Sequence, residues 1–190
     1  MIEFDKENHI YTMYGKEVPS VTQILKEVFP NKYDGIPPEI LEKKAQYGTE
    51  LHEYIEVIEK KKPKNPLAYI KRYFQPDMYQ EESIKQYLKI KEKNKIKVIA
   101  NEKLVFYGLY YCGTLDMLAK VNDKLAIIDI KTTAKLDETY VAYQDSLYEM
   151  ANGKVDELYC LWLPKGHLGK LVKVNRIDNK LLKIIIGEKE

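Results

Sequence analysis

From Val98 to Lys131 the pattern changes to one of period two, punctuated by turn signals at Gly108-Leu109 and Asn122-Asp123. Alternation puts successive side chains on opposite faces of an extended chain, so this stretch reads as three consecutive strands joined by tight turns: Val98–Tyr107, Tyr110–Val121 and Lys124–Lys131. A helix is expected next, over Leu136–Asn152 and ending at Gly153. Strands over Val155–Leu163 and Leu168–Val174 follow, then a closing helix over Asp178–Ile186 capped by Asp178. A strand, helix, strand passage implies a parallel crossover beside the antiparallel meander. The expected fold class is therefore α/β, a central mixed sheet (three-strand meander, crossover helix, parallel strand) flanked by helices.

Upstream, His9–Val18 alternates around Gly15 and reads as a hairpin, and Ser20 is placed to cap a short helix over Val21–Val28. Pro37-Pro38 opens a long helix, Glu39–Lys60, with an apolar stripe of Leu41, Ala45, Gly48, Leu51, Ile55 and Ile58. Residues 60–97 contain Pro63, Pro66, Pro76 and a helix over Gln80–Asn94, and read as a lysine-rich helical insertion. No repeat or linker interrupts the chain, so residues 1–190 are expected to form one domain.

Composition narrows the function classes. Hydrophobic residues make up 45% and charged residues 32% of the 190, the balance of a globular chain rather than a disordered or fibrous one. No apolar run approaches the roughly 18 residues a membrane-spanning helix needs, and Met1–Lys6 lacks the basic-then-apolar pattern of a signal peptide. Cys112 and Cys160 are too few for a disulfide framework, a four-cysteine zinc site or an iron–sulfur cluster. A cytoplasmic setting without membrane partners is expected. Charge is uneven: residues 1–59 hold 6 Lys/Arg against 12 Asp/Glu, and residues 60–103 hold 13 against 5. That distribution suits a polyanion, although taken alone it favours a solvated face, because the Lys, Ile, Asn and Tyr enrichment is what an AT-rich genome writes.

The chemistry gathers in Gly113-Thr114-Leu115-Asp116 and Asp129-Ile130-Lys131-Thr132-Thr133. If Asn122-Asp123 is a two-residue turn with Val121 opposite Lys124, then Asp116 falls opposite Asp129 and Thr114 opposite Lys131. Facing carboxylates with Cβ atoms about 5 Å apart destabilise a hairpin. A chain tolerates them when a cation sits between, and oxygen-only ligation favours Mg²⁺, Mn²⁺ or Ca²⁺ over zinc. A neighbouring Lys supplies a charge that holds a water or a phosphate. The plainer alternative is an exposed hairpin face with solvated Asp–Lys pairs. Against it, Ala126-Ile127-Ile128 and Ile130 are too apolar for an outer edge and place this strand centrally.

Four blocks in order, over roughly residues 45–163, resemble the PD-(D/E)XK nuclease superfamily, in the branch of RecB-type domains and phage recombination exonucleases. Tyr47-Gly48-Thr49-Glu50-Leu51-His52 resembles its His-bearing helix, and Gly113-Thr114-Leu115-Asp116 its G-x-x-D strand. Asp129-Ile130-Lys131-Thr132-Thr133 resembles its D-x-K-T motif, and Gln144-Asp145-Ser146-Leu147-Tyr148 its Q-x-x-x-Y helix. The resemblance implies a restriction-endonuclease-like core and a metal-dependent deoxyribonuclease, an exonuclease acting on DNA ends in phage-type recombination or repair. Asp116, Asp129 and Lys131 would be catalytic. His52, Asp116, Asp129 and the carbonyl of Ile130 would hold Mg²⁺ or Mn²⁺, and the imidazole favours Mn²⁺. Gln144, Tyr148, Thr132 and Thr133 would contact or support DNA, and Glu102 would be an additional acid. The insertion 60–97 would face DNA, and a single-strand annealing or other recombination protein would be a further partner. Read without the resemblance, His52 is more often a core histidine than a ligand, and Gln144 and Tyr148 are equally well helix residues packed on the sheet. Two rival functions share these residues: a structure-specific endonuclease, and a non-catalytic DNA-binding module retaining the fold.

Overall fold

Asn122 and Asp123 both adopt left-handed backbone, φ 49° and 67°, the geometry of the tight hairpin turn their residue types favour. In the computed structural model, which describes residues 2–5 and 10–188, this turn joins the middle strands of a five-stranded sheet. Its strands are β4 (Lys97–Tyr107), β5 (Tyr111–Val121), β6 (Lys124–Lys131), β7 (Glu157–Trp162) and β8 (Lys170–Val174), side by side in that order. β6 and β7 run parallel and the other neighbours antiparallel. The crossover between them is helix α5 (Glu138–Asn152). The protein is thus α/β, with a mixed five-stranded sheet flanked by helices.

β1 (Ile2–Asp5), β2 (Ile10–Met13) and β3 (Lys16–Val18) form a separate three-stranded sheet. It contains the expected hairpin, whose first residue, His9, lies outside the described residues; β1 carries no alternation long enough to announce it. Helix α1 (Val21–Val28) begins in a reciprocal cap: the Gln23 amide N–H donates to Ser20 Oγ (3.1 Å) and the Ser20 N–H to Gln23 Oε1 (2.6 Å). Helix α2 (Pro38–Lys61) starts at the second of the two prolines, and α6 (Asn179–Ile185) follows its Asp178 cap. Among the described residues no helix is long and apolar enough to cross a membrane.

β6 is buried on both faces, as its apolar run requires. Ile127 packs into one core with α1 and α5, and Ala126, Ile128 and Ile130 pack into another with α2. Each of these isoleucines taken fully out of water contributes about 1.5–3 kcal/mol. Segment 60–97 does not stand apart from the body as an arm. It holds two helices, α3 (Pro66–Phe74) and α4 (Met78–Lys93), where the sequence suggests one. Ile70, Ile84 and Tyr87 are fully buried in the core that Leu51, Ile55 and Ile58 of α2 share. The buried carboxylate of Glu59 accepts from the Tyr87 hydroxyl at 2.6 Å and pairs with Lys91. The lysines are the solvent faces of helices whose other faces complete the fold. Cys112 and Cys160 are both free and buried, structural thiols as their apolar strands imply.

Candidate active site at the fork of two strands

β5 and β6 pair from Val121↔Lys124 to Met117↔Ile128 and then part. The register brings Asp116 and Asp129 to the point of divergence, as the turn predicts. Beyond it the expected pairing of Thr114 with Lys131 does not form; the Thr114 hydroxyl instead lies 3.1 Å from that of Tyr11. Two substitutes fill the fork. Asp116 Oδ2 accepts from the Ile130 N–H at 2.6 Å, taking a donor the ladder has lost. Further along, Pro19 and Ser20 dock on the vacated edge of β5, where the Cys112 N–H donates to the Pro19 carbonyl (2.9 Å) and Ser20 bridges to Cys112. Buried backbone groups must find partners, so β6 leaves only because these replacements exist.

Two glycines admit the helices that complete the site. A Cβ on Gly113 would lie 2.8 Å from the ring of Tyr148 and 3.1 Å from Val21. The glycine of the G-x-x-D block is therefore what seats the tyrosine of the Q-x-x-x-Y block against the sheet. A Cβ on Gly48 would lie 3.1 Å from Thr132 Oγ1, so α2 comes close to the end of β6 and delivers His52 there.

His52 joins both strands. Its Nε2 donates to the Ile130 carbonyl at 3.0 Å and its Nδ1 lies 3.5 Å from Asp116 Oδ1. Burial opposes protonation of the ring, but the Asp116 charge and hydrogen bond outweigh it and raise the imidazole's pKa. Burial likewise opposes ionisation of Asp116, yet His52, Lys131 and the Ile130 N–H hold its carboxyl below the usual range. Glu102 lies between the pairs Asn101↔Met117 and Lys103↔Leu115, hence opposite Asp116 on the other side of β5. Its φ is +47° in mid-strand, a left-handed conformation that costs a non-glycine residue about 1–3 kcal/mol and clusters at functional sites. One ligand atom each from His52, Glu102 and Asp116 lie within 4.8 Å of one another. The residue as a whole is exposed, but at its carboxyl partial desolvation, with the Asp116 charge adding, pushes the pKa up to about 7.

Asp129 stands apart from that cluster. It is 1% exposed, and the Lys131 ammonium donates to its Oδ1 at 2.8 Å while lying 2.7 Å from Oδ2. Burial pushes the Asp129 carboxyl up to about 6 despite the lysine, with Asp116 adding to the rise. Burial works against the Lys131 charge, and Asp129 and Asp116 more than restore it. The structure thus brings His52, Glu102, Asp116 and the Ile130 carbonyl together as candidate cation ligands, and makes Asp129 the partner of Lys131.

The supporting residues divide similarly. Gln144 and Tyr148 share one face of α5, the Gln144 amide donating to the Tyr148 hydroxyl at 3.4 Å. Thr132 sits against Gly48, and the Thr133 hydroxyl donates to the Lys135 carbonyl at 2.7 Å, within its own loop. The sequence reading does not single out Asp145, which is fully buried with neither carboxylate oxygen partnered among the described residues. Burial, with Asp129 adding, raises its pKa well above the ordinary value. The signal was present: Val141, Asp145 and Tyr148 are four and three apart, one helical stripe facing the sheet. Lys32 and Tyr33, between α1 and α2, also reach Lys131 by lining a cavity beside it; no motif marks them.

Fold and cluster together define a class, an α/β chain with an acid–histidine–lysine site where two strands of a mixed sheet part. No family model matches the chain, and no curated protein matches it. Among solved structures it is similar to the crystal structure of SSO0001, at 14% identity and a TM-score of 0.38, over 88% of this chain and 82% of that one.

Proposed function

We propose that the protein is a metal-dependent deoxyribonuclease with a restriction-endonuclease-like core, hydrolysing phosphodiester bonds at DNA ends. The observation that carries the reading is the convergence of His52, Glu102 and Asp116 within 4.8 Å, with the Asp129–Lys131 pair beside them. The donor set fits a hard or borderline divalent cation: two carboxylates, a backbone carbonyl and one imidazole suit Mg²⁺ or, better, Mn²⁺. His52, Glu102, Asp116 and the Ile130 carbonyl would hold it. Such an ion, when bound, supplies positive charge to the phosphoryl oxygens and acidifies a water.

The remaining work falls to the chain's own groups. Lys131 has three N–H donors, of which the Asp129 carboxylate takes at most two, so one remains to hold the attacking water or a phosphate oxygen. Asp129 fixes that ammonium and keeps it charged. The expectation that Asp129 also ligates the ion is replaced here by Glu102, which the sequence offers only as an additional acid. Lysines on the solvent faces of α3 and α4 would follow the DNA backbone, so affinity should fall steeply with salt.

The test is digestion of linear and covalently closed circular DNA with Mn²⁺, Mg²⁺ or EDTA, beside the Lys131→Ala protein. Loss of linear DNA alone, dependent on metal and on Lys131, is the expected result. Cutting of the circle would instead establish an endonuclease. DNA binding without cleavage in any metal would leave a non-catalytic module.

A further inference from the structure

The lysines of the insertion are not alike. On its helices Lys71 pairs with Glu81 (2.9 Å) and Lys85 with Glu82 (3.6 Å), and Lys91 reaches the buried Glu59. Unpaired charge gathers instead where three connections meet at one end of the molecule. Lys61, Lys62 and Lys64 follow one another from the end of α2, Lys93 and Lys95 from the end of α4, and Lys120 precedes the β5–β6 turn. All six are exposed, and none has a carboxylate partner among the described residues. Three contacts hold the connections together. The Glu59–Lys91 pair sets the last turns of α2 and α4 side by side. The Asn122 N–H donates to the Asn94 carbonyl at 3.1 Å, and Lys97 is the cross-strand partner of Lys120.

Two plainer accounts leave this end unexplained. Lysines in the last turn of a helix answer its dipole, which covers Lys61 and Lys93 but not Lys64, Lys95 or Lys120. Composition sets how many lysines a chain carries, not where they meet. Lys97 and Lys120 stand directly opposite each other, and like charges so placed destabilise a strand pair. Asp123 pairs with Lys97 at 3.3 Å and leaves Lys120 unanswered. Lys62 and Lys95 hold left-handed backbone, φ 47° and 50°, at turns a glycine would serve at less cost. The other exposed acids nearby are Glu92 and Asp156, and Asp156 is engaged by the Leu125 N–H.

The chemistry of the surface indicates its occupant. Residues 61–65, 93–97 and 120–124 contain no arginine and no aromatic residue. They offer point charges to phosphate oxygens and no platform on which an unpaired base could stack. We propose that this end of the molecule docks the phosphate backbone of duplex DNA, away from the cut. That the polyanion is DNA rests on the nuclease reading. Lys124, at this end, and Lys131 mark the two ends of β6, about 23 Å apart at the rise of a strand. The contact is therefore made by a different segment of DNA from the one being cut, and it is blind to sequence.

The test compares two double variants that lose the same charge. Lys62→Gln with Lys95→Gln alters the unpaired end, and Lys71→Gln with Lys85→Gln alters the paired helices. All four side chains are exposed, so neither variant threatens the fold. Affinity for a fluorescent duplex several helical turns long is read by anisotropy, in EDTA, over a range of NaCl. In the first variant the slope of log affinity against log salt should be shallower by about 2, and affinity about tenfold lower, as two phosphate contacts are lost. The second variant should match the unaltered protein. Equal losses in the two, which net charge alone would give, or an unchanged slope in the first, overturn the proposal. So does binding to phosphatidylserine vesicles that the first variant loses while its DNA binding is unchanged, which would make this end a membrane contact. Cleavage is read separately with Mn²⁺, so failure of the nuclease reading shows as absence of cleavage by the unaltered protein, whatever the binding gives.

Discussion

Asp116 and Asp129 are the same residue type, one on each strand where β5 and β6 part, and the structure gives them different partners. Asp116 faces His52 and the Ile130 N–H, which hold its carboxyl ionised and below its usual range. Asp129 is sealed in the sheet with one lysine, and burial pushes it up to about 6. What divides them is what the fork delivers to each side. α2 reaches the first through Gly48, while the second keeps to its own strand, two residues from Lys131. Register brings the two acids to the fork; the elements packed around them decide that one faces the histidine and the other the lysine.

The division makes predictions that can break it. The largest effect is expected from Asp116→Ala and Lys131→Ala, each lowering cleavage by on the order of 10²–10⁴-fold with an unchanged far-ultraviolet circular dichroism spectrum; full activity in either sinks the mechanism. Metal affinity then separates the two halves. His52→Ala and Glu102→Gln should weaken Mn²⁺ binding in calorimetry by at least about tenfold, a loss seen even for outer-sphere partners, whereas Lys131→Ala should leave it intact. If Lys131→Ala weakens it equally, the two acids share one ligand set. Gly113→Ala forces a methyl into the ring of Tyr148 and should cost about 1–3 kcal/mol, read as a lower Tm. An unchanged Tm would mean that the helix yields and that the glycine does not set its approach.

The smallest effect concerns Asp145, an acid beside the same pair with no hydrogen-bond partner among the described residues. Its folded-state pKa is raised, so whatever stability it allows is complete below the ordinary aspartate range and is lost as pH rises toward the folded value. Asp145→Asn should therefore stabilise the protein by about 1 kcal/mol near neutral pH and by less near pH 4. A difference that stays constant with pH would show that the pKa of Asp145 does not change on folding.

Much of this was legible in the chain. The alternation from Val98 to Lys131 and the Asn122-Asp123 turn gave three strands and a register, because a period of two allows one pairing that buries one face. Gly48, in contrast, is seen to matter only where α2 meets Thr132, because a helix approaches a strand end that closely only where it lacks a Cβ. The lysine-rich segment misled for a physical reason. Ile70, Ile84 and Tyr87 lie among so many charges and prolines that their burial cannot be seen locally, and Pro66 starts α3 rather than breaking it. The left-handed backbone of Glu102 left no trace either: glutamate does not encode it, and only its neighbours across the sheet hold it there. The places of Lys32 and Tyr33 depend on how the α1–α2 connection packs, which no spacing reveals.

The docking of Pro19 and Ser20 on β5 carries a consequence for how the molecule is made. A segment near the start of the chain must stay unpaired until Cys112 has been synthesised and the β5–β6 hairpin has formed and parted. Contacts so distant in sequence are entropically late, so the central hairpin should assemble first and the fork should be wedged open last. Maturation of the site would then be the final step of folding, with Pro19 and Ser20 its splint.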